Sequence, residues 1–524
     1  MKPRLFCGQG TKSVLEQHKM NRNLYSLLAE RFPSDRRRPM LQLPDGTQQD
    51  YAHLEAMAGR YAALLRQLGV EPGERVAVQT EKSPNAIYFY LGCLKAGAVY
   101  LPLNIAYTRG EVSYFLEDAE PSLVVCRPES LTDMSEIAER AGVRHVHSMD
   151  AEGGGSLTEA AMQLAPDPQT EMRQDDDLAA ILYTSGTTGR SKGAMLTHGN
   201  LASNAFALHR IWGFRDGDVL LHALPIFHVH GLFVATNTTL ANGSSMIFLP
   251  RFDAEEVLRL LPKATLMMGV PTFYVRLLAH PGFTREASAH MRLFISGSAP
   301  LLEETFHEFE ERTGQRILER YGMTEAGMIT SNPLEGERRA GTVGFPLPDV
   351  EVRVADSDGK VLGPDEIGVL EARGPNIFKG YWRMPEKTAE EFRPDGFFIT
   401  GDMAKIDERG YVHIVGRTKD LIISGGYNVY PKEIELVIDA QPGVVESAVI
   451  GLPHPDFGEA VAAAVTRSSP DATDEAAILA GIKSELAGFK LPKKLFFVDE
   501  LPRNTMGKVQ KAQLREAYKD SFVT

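Results

Sequence analysis

Leu178-Ala179-Ala180-Ile181-Leu182-Tyr183-Thr184-Ser185-Gly186-Thr187-Thr188-Gly189-Arg190-Ser191-Lys192-Gly193 joins an apolar run to a stretch of hydroxyls and glycines that carries two cations. Leu178 to Leu182 is continuously apolar and reads as a buried strand. Beyond it, Gly186 and Gly189 let backbone N–H groups close on an anion. The hydroxyls of Thr184, Ser185, Thr187 and Thr188 and the ammonium of Lys192 supply further donors. The spacing G-x-x-x-x-G-K-[ST] does not fit this run, so it is not a Walker A loop. A Gly/Ser/Thr stretch alone is more often a linker. Fed by a strand, this one reads as a loop that grips a polyphosphate.

The chain has 524 residues, too many for one core, and this predicts two or more domains. Hydrophobic content of 43% with 24% charged residues is that of a globular protein. A net charge of −13 argues against a general nucleic-acid binder, although a local cationic site for an anionic ligand is compatible with it. Cys7, Cys93 and Cys126 form neither a disulfide framework nor a metal-ligand spacing, and this fits a reducing, cytoplasmic setting. No apolar run is long enough to span a membrane, because Pro102 and Asn104 interrupt the best candidate. Residues 1–19 lack an apolar core and read as an extension without packed structure, ahead of a first helix near Asn21.

From there to Gly416 helices and strands alternate. Arg75 to Gln79 reads as a strand, Pro84 to Ala96 as an apolar helix stopped by Gly97, and Ser122 to Cys126, Ala264 to Val270 and Arg292 to Ser296 as further strands. This alternation predicts an α/β domain over 20–417 with largely parallel sheets. Val350 to Ala355 and Val369 to Arg373 alternate more regularly and predict a small β-rich subdomain inside it. A smaller α+β domain over 418–524 follows, with helices at Glu433 to Asp439 and Glu475 to Leu486 and a strand at Val444 to Gly451. The boundary is placed at Lys419; by composition the turn there fits an ordinary hairpin corner equally well.

Other segments carry chemistry. Ser296-Gly297-Ser298-Ala299-Pro300-Leu301 is, on its own, a strand–turn–helix junction whose small residues let a flat ring lie against the backbone. Tyr321-Gly322-Met323-Thr324-Glu325 offers an aromatic face, a hydroxyl and a carboxylate able to hold Mg2+ against phosphate oxygens. Asp402, in Thr400-Gly401-Asp402, is either a turn former or a bidentate acceptor for a vicinal diol. Lys508, in Pro502-Arg503-Asn504-Thr505-Met506-Gly507-Lys508, is a solvated basic residue when read alone. No convincing Ser/His or Cys/His nucleophile is present.

Taken together and in this order, these segments resemble the acyl-adenylate-forming superfamily, which includes the acyl-CoA synthetases. Tyr183 to Gly193 matches its phosphate loop, Tyr321 to Glu325 its Y-G-x-T-E motif, and Pro502 to Lys508 its P-R-x-x-x-G-K motif. The resemblance implies a large N-terminal domain, a small C-terminal domain on a hinge, and ATP, Mg2+ and CoA as reactants. It gives Thr184, Ser185, Gly186, Thr187, Thr188, Gly189 and Lys192 to the phosphates and Gly297, Ser298, Ala299 and Tyr321 to the adenine side. Asp402 and Arg417 fall to the ribose, Thr324 to the α-phosphate and Glu325 to Mg2+. Lys508 would bridge the acyl carboxylate and the α-phosphate, Lys419 would be the hinge, and Ser424, Gly425 and Gly426 would pass the pantetheine arm of CoA. Acetylation of Lys508 would remove its charge, which makes a lysine acetyltransferase or deacetylase an expected partner.

His222 to Phe233, His290 to Ser296, Gly380 to Pro385 and Asn504 to Lys511 resemble the malonyl-CoA synthetases within that superfamily. This implies malonate or methylmalonate as the acid, with another short-chain or aryl acid as the alternative. A non-catalytic nucleotide-binding protein on the same fold is disfavoured by the presence of Lys508 and Glu325. A second carboxylate needs a buried cation or several donors. His230 and Arg292 are the candidates, with Met323 lining the pocket and His228 beside the acyl carbon. Arg292 precedes Ser296 by about 13 Å of extended strand, so only a loop folding back would bring them together.

Overall fold

The computed structural model describes residues 20–184, 191–424, 427–455, 457–483, 485–486, 488–504 and 507–522. Residues 1–19, Ser185 to Arg190 of the glycine-rich loop, and Gly425 and Gly426 lie outside them, as do the side chains of Tyr427 and Asn428. The chain divides into two compact units, one formed by Met1–Arg38, Asp50–Ile181 and Leu196–Ala202, the other by Pro39–Gln49, Leu182–Met195 and Ser203–Thr524.

In the first unit the strands Val99–Pro102, Arg75–Gln79, Leu123–Cys126 and His145–Ser148 lie side by side in that order, all parallel. The helix Pro84–Ala96 is buried all round from Ala86 onward, which explains why its sequence is apolar on every face. Ser83 caps its start and Pro84 opens its first turn. Gly97 ends it in the left-handed conformation at φ 77°. Lys95 is tolerated in this core because its ammonium donates to Pro168 O and Thr170 Oγ1, each at 3.1 Å.

The second unit holds a 9-stranded sheet. Its neighbours Ser245–Phe248, Val219–His222, Leu266–Gly269, Leu293–Ser296 and Leu318–Met323 run parallel, and Gly327–Ser331 returns antiparallel beside the last of them. Glu303–Thr313 connects two of the parallel strands as the spacing predicts, and Gly314 stops it at φ 75°. The expected β-rich subdomain is a 4-stranded antiparallel sheet in the order Glu351–Ala355, Gly368–Arg373, Phe398–Ile406, Val412–Arg417.

After the turn Thr418–Asp420 the chain forms a further sheet from Tyr427–Val429, Ile422–Ser424, Gly458–Arg467 and Val444–His454, with Lys494–Phe497 parallel to Gly458–Arg467. Its two faces carry separate cores. Val449, Val461, Ala463 and Val465 pack with Ile434, Ile438 and Ile478 of the helices Pro431–Asp439 and Glu475–Ile482, whereas Ala448, Ile450, Ala462 and Ala464 pack with Leu514 of the helix Lys511–Tyr518. The alternation along Ala462 to Val465 follows the two-residue period of a strand. No helix of the described residues is long and apolar enough to cross a membrane.

Candidate functional site

The parallel strands of the second unit end in the segments the sequence singles out, at the carboxyl edge where open α/β sheets bind ligands. Leu293–Ser296 and Leu318–Met323 are adjacent, with Ser296 opposite Glu319. The residues that follow Ser296 therefore lie beside Arg320 and Tyr321. Arg320 is 2% exposed, and a Cβ at Gly297 would fall 2.4 Å from its guanidinium carbon. Glycine at 297 is what allows the cation to lie flat against the backbone. Ser298 adopts φ 73°, an uncommon conformation for a residue with a side chain, and its Oγ lies 3.2 Å from His230 Nδ1. His230 in turn donates its backbone N–H to His228 Nδ1 at 3.3 Å.

Polar atoms in this corner are left without partners. Among the described residues Arg320 Nε and Nη2 and His230 Nε2 are buried with no hydrogen bond. Burial pulls the Arg320 guanidinium down to about 9, opposed by Tyr274 and Glu319. Burial, with Lys508 and Arg320 adding repulsion, pulls His228 down to about 3, and His230 is driven down for the same main reason. Both imidazoles are therefore neutral near pH 7, and Arg320 is still charged. A buried, charged and incompletely bonded guanidinium is costly unless an anion completes it. The corner thus offers an anion unused guanidinium donors.

The neighbouring corner suits a nucleoside. Asp402 and Arg417 face each other as register partners on adjacent antiparallel strands, with Arg417 Nε 3.4 Å from Asp402 Oδ1. The Tyr321 hydroxyl donates to Asp402 Oδ2 at 2.5 Å, which leaves the ring edge-anchored and the carboxylate with unused acceptor capacity for a diol. Thr324 and Met323 are half-buried at the end of the same strand, and Ala299 is half-buried beyond Ser298.

Glu325 is buried, with Oε1 3.1 Å from the Tyr381 hydroxyl and 3.4 Å from Thr184 Oγ1. Burial raises its carboxyl above the ordinary range, against the pull of Tyr381 and Lys192. A single disfavoured carboxylate beside a hydroxyl is a donor set that fits Mg2+, which takes one or two carboxylates and otherwise prefers phosphate and water oxygens. Lys192 points to the same network. Its Nζ donates to Glu391 Oε1 at 2.8 Å and sits 3.9 Å over the Tyr381 ring. Lys192–Thr197 pairs antiparallel with Gly380–Tyr381, which brings Lys192 and Tyr381 together. Ser185, Gly186, Thr187, Thr188 and Gly189 lie outside the described residues, as do Gly425 and Gly426.

Lys508 is half-buried rather than exposed as its tail position suggested. Its loop is closed on itself. Asn504 N–H donates to Lys508 O and Asn504 Oδ1 accepts Lys508 N–H, each at 2.9 Å. Gly507 turns at φ 75°, and Arg503 Nη1 donates to Gly507 O at 2.6 Å while pairing with Glu446. Burial, aided by Arg417, lowers the Lys508 ammonium to about 8 against the opposing pull of Asp402 and Glu325. Lys419 lies in the turn Thr418–Asp420, and Ser424 is buried on the strand that follows.

Arg292 is not brought to this site. It sits at the amino end of its strand, where Nη2 and Nε donate to Asp218 at 2.6 and 3.2 Å and Nη1 to Trp212 O at 3.5 Å. The 13 Å gap is not bridged by a returning loop, because Asp218 already holds the guanidinium. With the side chains of Arg292 and Asp218 only 18% and 5% exposed, Arg292→Ala is expected to cost about 3–5 kcal/mol of stability by stranding the carboxylate. Urea unfolding checks this, and the acid preference of the folded variant should not change. A shifted preference at unchanged stability would return Arg292 to the pocket. Sequence reading passed over Arg320, Tyr381 and Glu391. The available signal for Arg320 was a charged pair, Glu319-Arg320, inside an otherwise apolar strand.

Residues 28–382 match the family described as AMP-binding enzyme, and residues 433–508 match the AMP-binding enzyme C-terminal domain. A malonate–CoA ligase of Arabidopsis thaliana is 37% identical over 478 residues, 85% of this chain and 78% of that protein. A feruloyl-CoA synthase of Amycolatopsis sp is 36% identical over 477 residues, 90% of this chain and 94% of that protein. The crystal structure of ATP-bound MatB from Rhodopseudomonas palustris superposes with a TM-score of 0.94 at 57% identity, covering 96% of this chain and all of that one.

Proposed function

The chain belongs to the AMP-binding enzyme family, and from that membership we propose that it is a malonate–CoA ligase, ATP-dependent and AMP-forming. The observation that carries the choice of acid is Arg320, a buried guanidinium with two partnerless nitrogens beside Ser298 and His230. With Lys508 on the reacting carboxylate and Arg320 on the distal one, a short dicarboxylate would find a cation at each end, and the similarity to malonate–CoA ligases supports the reading. A long apolar or aryl acid would leave Arg320 unpaired. Methylmalonate retains both carboxylates and is the natural second substrate.

In the first half-reaction one malonate oxygen attacks the α-phosphorus of ATP and pyrophosphate leaves, giving malonyl-AMP. Arg320, Ser298 and His230 would hold the distal carboxylate and so orient the reacting one. Asp402 and Arg417 would fix the ribose, Tyr321 the adenine, and Thr324 the α-phosphate. Lys508 would stabilise the charge that builds on the pentacoordinate phosphorus. Mg2+ held by Glu325 would neutralise phosphate charge. In the second half-reaction the CoA sulfur attacks the acyl carbon, its proton is lost and AMP leaves. No side-chain nucleophile is needed, because AMP is already a good leaving group.

The test is product identity. Incubation with malonate, ATP, Mg2+ and CoA should give malonyl-CoA with AMP and pyrophosphate in equal amounts by mass spectrometry. ADP and phosphate in place of AMP and pyrophosphate would overturn the reading.

Further outcomes follow from Lys508 and Lys419. Lys508 must be charged to act, and burial lowers its ammonium to about 8. The kcat/KM for adenylation should therefore be level below pH 8 and fall roughly tenfold per unit above it. A profile flat to pH 10 would contradict this role. The segment after Arg417 is proposed to rotate about Lys419 between the half-reactions. Lys419→Pro is expected to retain pyrophosphate release in single turnover but to block transfer to CoA, since proline fixes φ. Unchanged overall turnover would contradict the hinge.

A further inference from the structure

Lys192 is the sole cation of the glycine-rich run whose position the structure describes, and it is not free to meet a phosphate. Its ammonium donates to Glu391 Oε1 at 2.8 Å and lies 3.9 Å over the ring of Tyr381. Glu391 is held firmly. Its Oε2 accepts the Tyr381 hydroxyl at 2.6 Å, its carbonyl accepts Ile399 N–H at 2.8 Å, and its backbone closes the helix Pro385–Glu390. Lys387 approaches the same carboxylate at 3.4 Å. The Lys192 and Glu391 side chains are only 9% and 20% exposed, so water screens the pair poorly. Glu391 takes one of the three ammonium donors and offsets its charge locally, so a phosphate meets Lys192 only in competition with that carboxylate.

We propose that Glu391 is an internal competitor of the triphosphate for Lys192, a positioning residue that sets nucleotide affinity and speeds pyrophosphate release by recapturing the lysine. The inference rests on the reading of Lys192 as a phosphate contact. Only molecules with Lys192 detached from Glu391 are competent to grip phosphate. The apparent dissociation constant is therefore the intrinsic one divided by that competent fraction. Tyr381 supports the pair, because its ring lies under the Lys192 ammonium and its hydroxyl donates to Glu391 at 2.6 Å while lying 3.1 Å from Glu325. When pyrophosphate has formed, closure of the Lys192–Glu391 pair removes one of its contacts and favours departure.

The sign of the expected effect separates this from a structural role. Removing a merely structural contact weakens ligand binding, whereas removing a competitor strengthens it. Calorimetric titration of the full-length protein with pyrophosphate and with ATP, each with Mg2+, supplies the measurement. Glu391→Gln should tighten both on the order of five- to tenfold and slow pyrophosphate release in pre-steady-state assays. Glu391→Asp, with its carboxylate drawn back by one methylene, should show a smaller tightening and serves if the first variant does not fold. In a Lys192→Ala background, Glu391→Gln should change neither affinity, because the competition is gone. Weaker or unchanged binding in Glu391→Gln, or equal tightening with and without Lys192, would overturn the proposal. Failure of the wild-type protein to form malonyl-CoA while Glu391→Gln still tightens nucleotide binding would instead overturn the choice of acid alone.

Discussion

Lys508→Ala is expected to cripple malonyl-AMP formation while sparing thioester formation from malonyl-AMP supplied ready-made. Its ammonium is proposed to lie between the reacting carboxylate and the α-phosphate, within electrostatic range of Asp402, Glu325 and Arg417. Its contribution is fixed positive charge where negative charge develops, and removing one such donor lowers kcat by roughly a hundred- to a thousandfold. The backbone of the loop should survive the change, because Arg503 and Asn504 bond the main chain of Gly507 and Lys508, and none of these bonds uses the Lys508 side chain. Rapid-quench measurement of each half-reaction checks the split. Equal loss in both would mean that Lys508 shapes the fold of the loop and not the adenylation step.

Arg320→Met should have the second large effect, confined to the choice of acid. Methionine fills much of the volume of arginine without its charge, so the corner beside Gly297 stays packed. Malonate would then bury a carboxylate against an apolar side chain and two neutral histidines. A site built to bond a polar group rejects ligands that cannot reciprocate by roughly 10^4-fold, and here the protein supplies the mismatch. Malonate kcat/KM should fall by about that factor, and propionate should become comparable to it or better. The folded state should not suffer, since a buried guanidinium lacking partners on two nitrogens is an expense to stability rather than a support. Circular dichroism and paired kcat/KM values check both halves. A uniform loss for malonate and propionate would move Arg320 from acid recognition to general architecture.

Much of the fold is legible in the residues. The helix at Pro84–Ala96 is announced by Ser-Pro at its start and Gly at its end, and Glu303–Thr313 by its position between strands and by Gly314. The strand Gly458–Arg467 is not legible, because its interior is mostly alanine, a residue with little preference for strands. Alanine serves there because the strand is covered on both faces by packed cores.

The site divides in the same way. Residues that lie in compact motifs, such as Tyr321 to Glu325, Asp402 and Lys508, converge in the structure. Arg320 and Glu391 owe their meaning to a neighbour distant in sequence: Gly297 makes room for the one and Lys192 pairs with the other. Arg292 shows the converse. It looked available for the acid because a sequence does not display that Asp218 is already bonded to it.

Recognition of both carboxylates of a short diacid is tested by kcat/KM for pyrophosphate release with ATP, Mg2+ and CoA across acetate, propionate, malonate, methylmalonate, succinate and benzoate. Malonate is predicted to exceed acetate and propionate by roughly a thousandfold, with methylmalonate second and benzoate inactive. Turnover of acetate, propionate or benzoate equal to that of malonate would contradict such recognition and leave Arg320 without the ligand proposed for it.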